Sequence, residues 1–346
     1  MKISKITKSL VAGCALAGAS LSANAGVVAT SYLDVQSFGI VAYFDAALTD
    51  KVSNEQLAQF ITVSSGQRSS STSTGFNGAG LPNTPAFAPT NDGIADGVFN
   101  CVGPSCGLTG VSNNSLVGNY NTALNLHNDS RDNGYSYGMA DAIVSGSALN
   151  FDPTNPASGM TYAAASVGSN NSVASGNSDI ADSLTTVLNF ELNGPTEIYL
   201  AFTLAYKLIV DTVKSADIES DPTQVANATA SASFQVGIGS DDSTGNGGAL
   251  GVQRQLDDGT VVYLNEDDLE IVNLVSEADD FTGSNTGVTE DGGVARSEFF
   301  RLRAGDFQVS IGQKSTARVS LVSAPGTLAI AGLGLLGLAA VRRRKS

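Results

Sequence analysis

His127 is the only histidine among 346 residues. Any Ser-His-Asp hydrolase would therefore draw its general base from Asn125-Leu126-His127-Asn128-Asp129. No Gly-x-Ser-x-Gly elbow accompanies it to supply a nucleophile, so His127 reads as a loop histidine bonded to its neighbours. Cys101 and Cys106 are separated by four residues, and in an oxidising compartment two thiols that close form a disulfide. Gly103-Pro104 favours the turn that brings them together. A redox pair would favour Cys-x-x-Cys beside a basic residue, and neither feature is present. The stretch Asp241 to Asp291 holds thirteen carboxylates against one cation, Arg254. Its pairs Asp241-Asp242 and Asp257-Asp258 are the candidate calcium ligands, since calcium prefers clustered oxygens on Gly/Asn loops. No EF-hand spacing supports them, and the alternative is a solvated acidic face that discourages edge-to-edge sheet pairing. Paired carboxylates also serve glycosidases, but the chain has no Trp for sugar stacking, and nothing around the pairs would raise one pKa. No catalytic residue is assigned, no cofactor beyond calcium is expected, and the chain is expected to be non-enzymatic.

The two ends carry the clearer chemistry. Lys2, Lys5 and Lys8 precede an apolar, small-residue run from Ser9 to Leu21, and Ala23-Asn24-Ala25 is a small-x-small cleavage site. Residues 1–25 therefore read as a signal peptide cut before Gly26 by signal peptidase. Val11-Ala12-Gly13-Cys14 looks like a lipoprotein box, but it would leave only about five apolar residues before the cut, against the usual ~7–15. At the other end Ala324-Pro325-Gly326-Thr327 breaks the chain. Leu328 to Val341 follows as a 14-residue run without charge, closed by Arg342-Arg343-Arg344-Lys345. As a helix the run spans about 21 Å, short of a ~30 Å hydrocarbon core. The basic cluster should stay cytoplasmic, which places the body on the far side and suits transient inner-membrane insertion through the tail.

This tail resembles the PEP-CTERM sorting domain of Gram-negative bacteria. The Leu/Gly/Ala-rich helix and the basic end match the family pattern, and Pro325, Thr327 and Leu328 fit its second Pro and following Thr-Leu. Ser323 and Ala324 stand where Pro and Glu are usual, and Gly326 where Ser is common. The resemblance implies recognition by an exosortase, removal of the tail, and delivery to the surface or to extracellular polymer. The expected partners are the export machinery, signal peptidase, an exosortase-like enzyme and exopolysaccharide.

Removal of both ends takes seven of the 18 cations and no acid, so the net charge moves from −15 to −22. Such a surface disfavours anionic partners and excludes a nucleic-acid binder, which needs clustered Lys and Arg. The body, residues 26–322, must supply the fold. From Ile198 to Val210, Ile, Leu, Phe, Tyr and Val alternate with smaller or polar residues at period two, which puts one set on a buried sheet face. Val225 to Ile238 repeats the pattern with Ala226, Ala228, Ala230, Ala232 and Phe234. Further strands are expected at Val27–Val35, Gly39–Phe44, Met160–Val167, Leu184–Glu191, Val261–Leu264, Glu298–Arg303, Phe307–Ile311 and Thr316–Val322, with a hairpin turn over Arg303 to Phe307. Ser53 is an N-cap candidate for a short helix, and a second short helix is expected near Glu266 to Val275. Gly66 to Asn100, which includes the hydroxyl run Ser69 to Thr74, reads as a surface loop able to accept O-glycans, and 241–291 as an acidic loop region. The whole points to a mainly β, antiparallel sandwich or jelly-roll-like body, flanked by a signal helix and a hydrophobic tail at 323–346. A β-solenoid is the alternative, but no fixed period supports it.

Overall fold

The computed structural model describes residues 26–81, 86–89, 94–97, 99–108, 120–145, 157–168, 172–180, 186–215, 218, 224–240, 253–255, 261–263, 267–279, 287–297 and 299–323. The described chain order is β1 (Val27–Tyr43), α1 (Asn54–Phe60), β2 (Ile61–Phe76), β3 (Ala79–Leu81), β4 (Ala86–Pro89), β5 (Ala95–Asp96), β6 (Asn100–Val102), α2 (Tyr120–Asn133), β7 (Tyr137–Ser145), β8 (Ala157–Val167), β9 (Ser172–Ile180), β10 (Thr186–Lys214), β11 (Gln224–Ser240), β12 (Gln253–Gln255), β13 (Val261–Tyr263), β14 (Asp267–Asp279), β15 (Val288–Arg296) and β16 (Phe300–Ser323). Every strand pairing is antiparallel, and the strands pack as a two-layer sandwich.

The first layer runs β7-β8-β1-β10-β15, with β5 and β6 on the outer edge of β7. The second runs β2-β9-β16-β11-β14. Beyond β9, residues 186–192 of β10 fill the gap between β2 and β16; β10 then enters the first layer at Glu197 and pairs β1 from Tyr199 to Lys214. One long strand thus belongs to both layers, which is why the pairings join into one sheet.

The alternation sets the core. Ile198, Leu200, Phe202, Leu204, Leu208 and Val210 of β10 are buried and face Val27, Ala29, Leu33 and Val35 of β1 and the alanines of β11 within one cluster. Phe202 stacks on Phe38 and meets Phe300 edge-on. Small side chains let the layers approach closely. A Cβ on Gly176 would overlap the Met139 carbonyl, and one on Gly138 would overlap the Ser175 carbonyl. Gln313 crosses the gap, its Nε2 donating to the Leu33 and Gly159 carbonyls. On the outer side of the first layer, α2 covers a second cluster built on Tyr32, Tyr137, Met139, Met160 and Tyr162.

Ser53 caps α1 in a full capping box with Gln56, as its spacing predicts. Several expectations are corrected. Residues 66–76 are not a loop but the second half of β2, with Ser69, Ser70, Ser71, Thr72 and Thr74 buried. Ser70 Oγ donates to the Ala95 carbonyl and Asn100 donates to Thr72 O and Oγ1, while Thr74 Oγ1 has no hydrogen-bond partner among the described residues. That burial also removes these residues as glycan acceptors. Glu266 to Val275 does not form a short helix. From Asp267 the chain is strand β14, because pairing with β11 along its whole length overrides local propensity. The described parts of the acidic region are strands β12 to β15 rather than loop. Arg303 to Phe307 makes no hairpin; β16 runs through it, paired to β10. His127 lies on a helix and not in a loop.

Candidate functional site

Two places hold the residues singled out by sequence: the outer face of the first layer under α2, and the end of the sandwich where β16 stops. Thr30 on β1 and Asp211 on β10 are register partners, and α2 lays His127 across them. His127 Nδ1 lies 2.9 Å from Thr30 Oγ1, and Nε2 lies 3.2 Å from Asp211 Oδ2. The series hydroxyl, imidazole, carboxylate has the order of a catalytic triad. Thr30, however, is fully buried in the middle of a strand and His127 is 3 % exposed, so no substrate carbonyl can reach the hydroxyl. The group acts as a clasp that ties helix to sheet. Gly287 packs against its outer side, where a Cβ would overlap the Asp211 carboxylate, and Asp211 itself stays partly exposed.

Along the same face Asp141, Tyr162 and Tyr32 form one rung across β7, β8 and β1. Asp141 is buried; its Oδ1 accepts from the Ala142 amide at 3.0 Å, and its Oδ2 has no hydrogen-bond partner among the described residues. Burial, with the charge of Asp96 adding, pushes its carboxyl up to about 7. Tyr162 is raised well above the usual tyrosine range by burial and by its neighbours Tyr137 and Asp141. The sequence reading passed over Asp141, although a lone acid within the apolar run Tyr-Gly-Met-Ala-Asp-Ala-Ile-Val was its available signal. It passed over Asp211 and Thr30 as well, which only strand register brings to His127. The spacing Tyr120, Ala123, Leu126-His127, Ser130 carries the helical period that would have revealed α2.

Cys101 and Cys106 are joined in a disulfide with a Cα–Cα distance of 5.9 Å. Gly103 within the loop has φ +134, a conformation favoured by glycine, and a Cβ there would meet the Ser136 carbonyl at 2.6 Å. Ser105 and Ser136 then exchange hydrogen bonds, Ser105 N to Ser136 O at 3.1 Å and Ser136 N to Ser105 Oγ at 2.9 Å. The bridge thereby fixes β6 against the start of β7. Asp241, Asp242, Asp257 and Asp258 lie outside the described residues, and among the described residues no three His, Cys, Asp or Glu side chains converge as a metal site.

Strand β16 carries the chain to the tail. Ala317, Val319 and Leu321 point into the core, and Val322 and Ser323 still pair with Val225 and Gln224 of β11. Pro325, Gly326, Thr327, Leu328 and the basic end Arg342 to Lys345 lie outside the described residues, as do Ala23 and Ala25. Gly26, where the mature chain is expected to start, is described and buried: its N–H donates to Ser215 Oγ at 3.2 Å, and its carbonyl accepts from Ser215 N at 2.9 Å. Among the described residues no helix is long and apolar enough to cross a membrane.

No curated protein and no solved structure matches the chain. The PEP-CTERM protein-sorting motif matches residues 322–345, so it begins on the last two residues of β16 and takes in the apolar run and the arginines. The chain carries a PEP-CTERM sorting signal on a β-sandwich body, and it is an exported protein addressed to an exosortase for delivery to the surface.

Proposed function

We propose that the mature sandwich is a non-enzymatic structural protein of the cell surface or the exopolysaccharide matrix, released there after signal peptidase and an exosortase-type enzyme remove its two ends. The observation that carries this reading is the junction itself: the sorting motif starts where the last core strand ends. The whole body is thus cargo, with no further domain between fold and address. Two features support the non-enzymatic part. The one imidazole is buried and committed to its Thr30 and Asp211 contacts, and the raised carboxylate is buried away from solvent. A mature charge of −22 keeps such a body soluble and favours cationic or divalent-ion-bridged polymer over anionic partners.

A second reading, a glycan-binding module, is favoured by the outward face of the second layer. There Ser73, Ser175, Asn177, Thr316, Ser320 and Thr229 stand partly exposed on adjacent strands. Fractionation of cells carrying the intact chain or a version ending at Ser323 tests the first reading: the intact chain reaches the surface or matrix, and the version without the tail does not. A glycan array probed with and without EDTA tests the second, and also reports any calcium dependence.

A further inference from the structure

The two segments that anchor the chain before processing leave the sandwich at the same end. In the first layer Val27, the first residue of β1, pairs with Lys214 and Val167. In the second layer Leu321, near the end of β16, pairs with Ser172. The layers are aligned so that Thr161 meets Ser315 at 2.9 Å, and a Cβ on Gly176 would lie 3.0 Å from the Ala164 carbonyl. From those contacts β8 climbs to Val167, and β16 climbs over the same number of residues to Leu321. Gly26 and Ser323 therefore share one rim, with the Asn77–Gly78 turn and the end of α2 beside them.

We infer that, until the tail is cut, this rim rests on the headgroup layer of the membrane that holds the tail, with the strands standing away from the bilayer. The inference rests on the sorting reading, because it requires the run from Leu328 to Val341 to be in the membrane. The tether sets the distance. Ser323 is held by β11, and Leu328 begins the apolar run. Five residue steps reach at most about 18 Å, of which roughly 5–7 Å is headgroup layer. A run spanning only about 21 Å has no length to spare for lifting the body away. The rim fits that setting. Val173 is 38 % and Val322 is 46 % exposed, and Val225, paired to Val322, is partly exposed on the same outward face. These three valines lie within two residues of the strand ends, whereas Val294 and Ile94, at 81 % and 63 % exposed, stand elsewhere on the body. A body of charge −22 is repelled by anionic lipid, so the contact is held by the tether and the valines and is lost once the tail is removed.

The test uses the full chain in nanodiscs of phosphatidylethanolamine and phosphatidylglycerol doped with a headgroup-nitroxide lipid. A fluorophore is placed at Val173→Cys on the rim, at Lys51→Cys at the opposite end, or at Leu335→Cys in the tail. The expected result is quenching by about half at position 173, strong quenching at 335 and none at 51, which lies about 50 Å along β1. Quenching at 335 without quenching at 173 overturns the resting contact and leaves the sorting reading intact. No quenching at 335 overturns both. A rim probe shielded equally without lipid, in a dimer, assigns the patch to a second copy and also overturns the inference.

Discussion

Nε2 of His127 lies 3.2 Å from Oδ2 of Asp211, while Nδ1 of the same ring meets Thr30. One side chain from a polar helix thereby joins two neighbouring strands at a single register position. His127→Ala removes both contacts, leaves a buried hydroxyl and opens a void under α2. We expect a loss of about 2–3 kcal/mol in urea unfolding. His127→Gln, which keeps one polar contact, should recover part of it. An alanine variant as stable as the parent would show that α2 is held by its apolar residues alone.

Asp141 gives the fold a pH dependence of defined sign. Its folded pKa is raised to about 7 by burial and by Asp96, above the unfolded value of about 3.9. The native state therefore binds the extra proton between those values. This contribution to stability is complete below about pH 4, falls as pH rises through 7, and is flat above it. Asp141→Asn should flatten that slope and raise stability at pH 8 by a few kcal/mol, read from denaturant midpoints across pH. An unchanged pH profile would contradict the assignment.

The alternation of Ile198 to Val210 was legible because those side chains fill the inner face of β10. The alanine series of β11 was legible for the same reason. The Ser69 to Thr74 run was not, because composition points outward while most of the run is buried, with Ser70 and Thr72 bonded to neighbouring segments. Helix α2 is mostly polar, and its narrow apolar stripe is easily lost among Asn and Asp. Asp267 onward was misread because what makes it a strand is β11, a partner distant in sequence. The tail was the most legible part, since hydropathy and a basic stop need no tertiary partner. The clasp was invisible because strand register, not sequence proximity, assembles it.

Gly176 marks the closest approach of the two layers. Gly176→Ala would drive a methyl group into the Met139 carbonyl, with the Ala164 backbone behind it. Neither is a flexible side chain, so the layers must part. We expect a loss of at least about 1–3 kcal/mol, seen as a lowered thermal midpoint. A Gly312→Ala control, where no atom lies within 4 Å of the added Cβ, should change little.

The Cys101–Cys106 bridge closes a short loop. Reduction, or Cys101→Ser with Cys106→Ser, should cost about 2 kcal/mol by the chain-entropy relation. The effect should concentrate at the rim, so amides of β6 and the start of β7 should exchange faster while those of β10 stay protected. Uniformly faster exchange would contradict a local role.

The central claim is that the sandwich is cargo whose two ends are removed on its way out of the cell. Intact-mass spectrometry of the protein recovered from the surface and medium tests it most directly. The expected species begins at Gly26, ends near Ser323 or Ala324 without the apolar run or arginines, and is two hydrogens lighter than its reduced sequence. Recovery of the whole polypeptide from the cytosol, from Met1 to Ser346 and with both thiols free, would contradict the account.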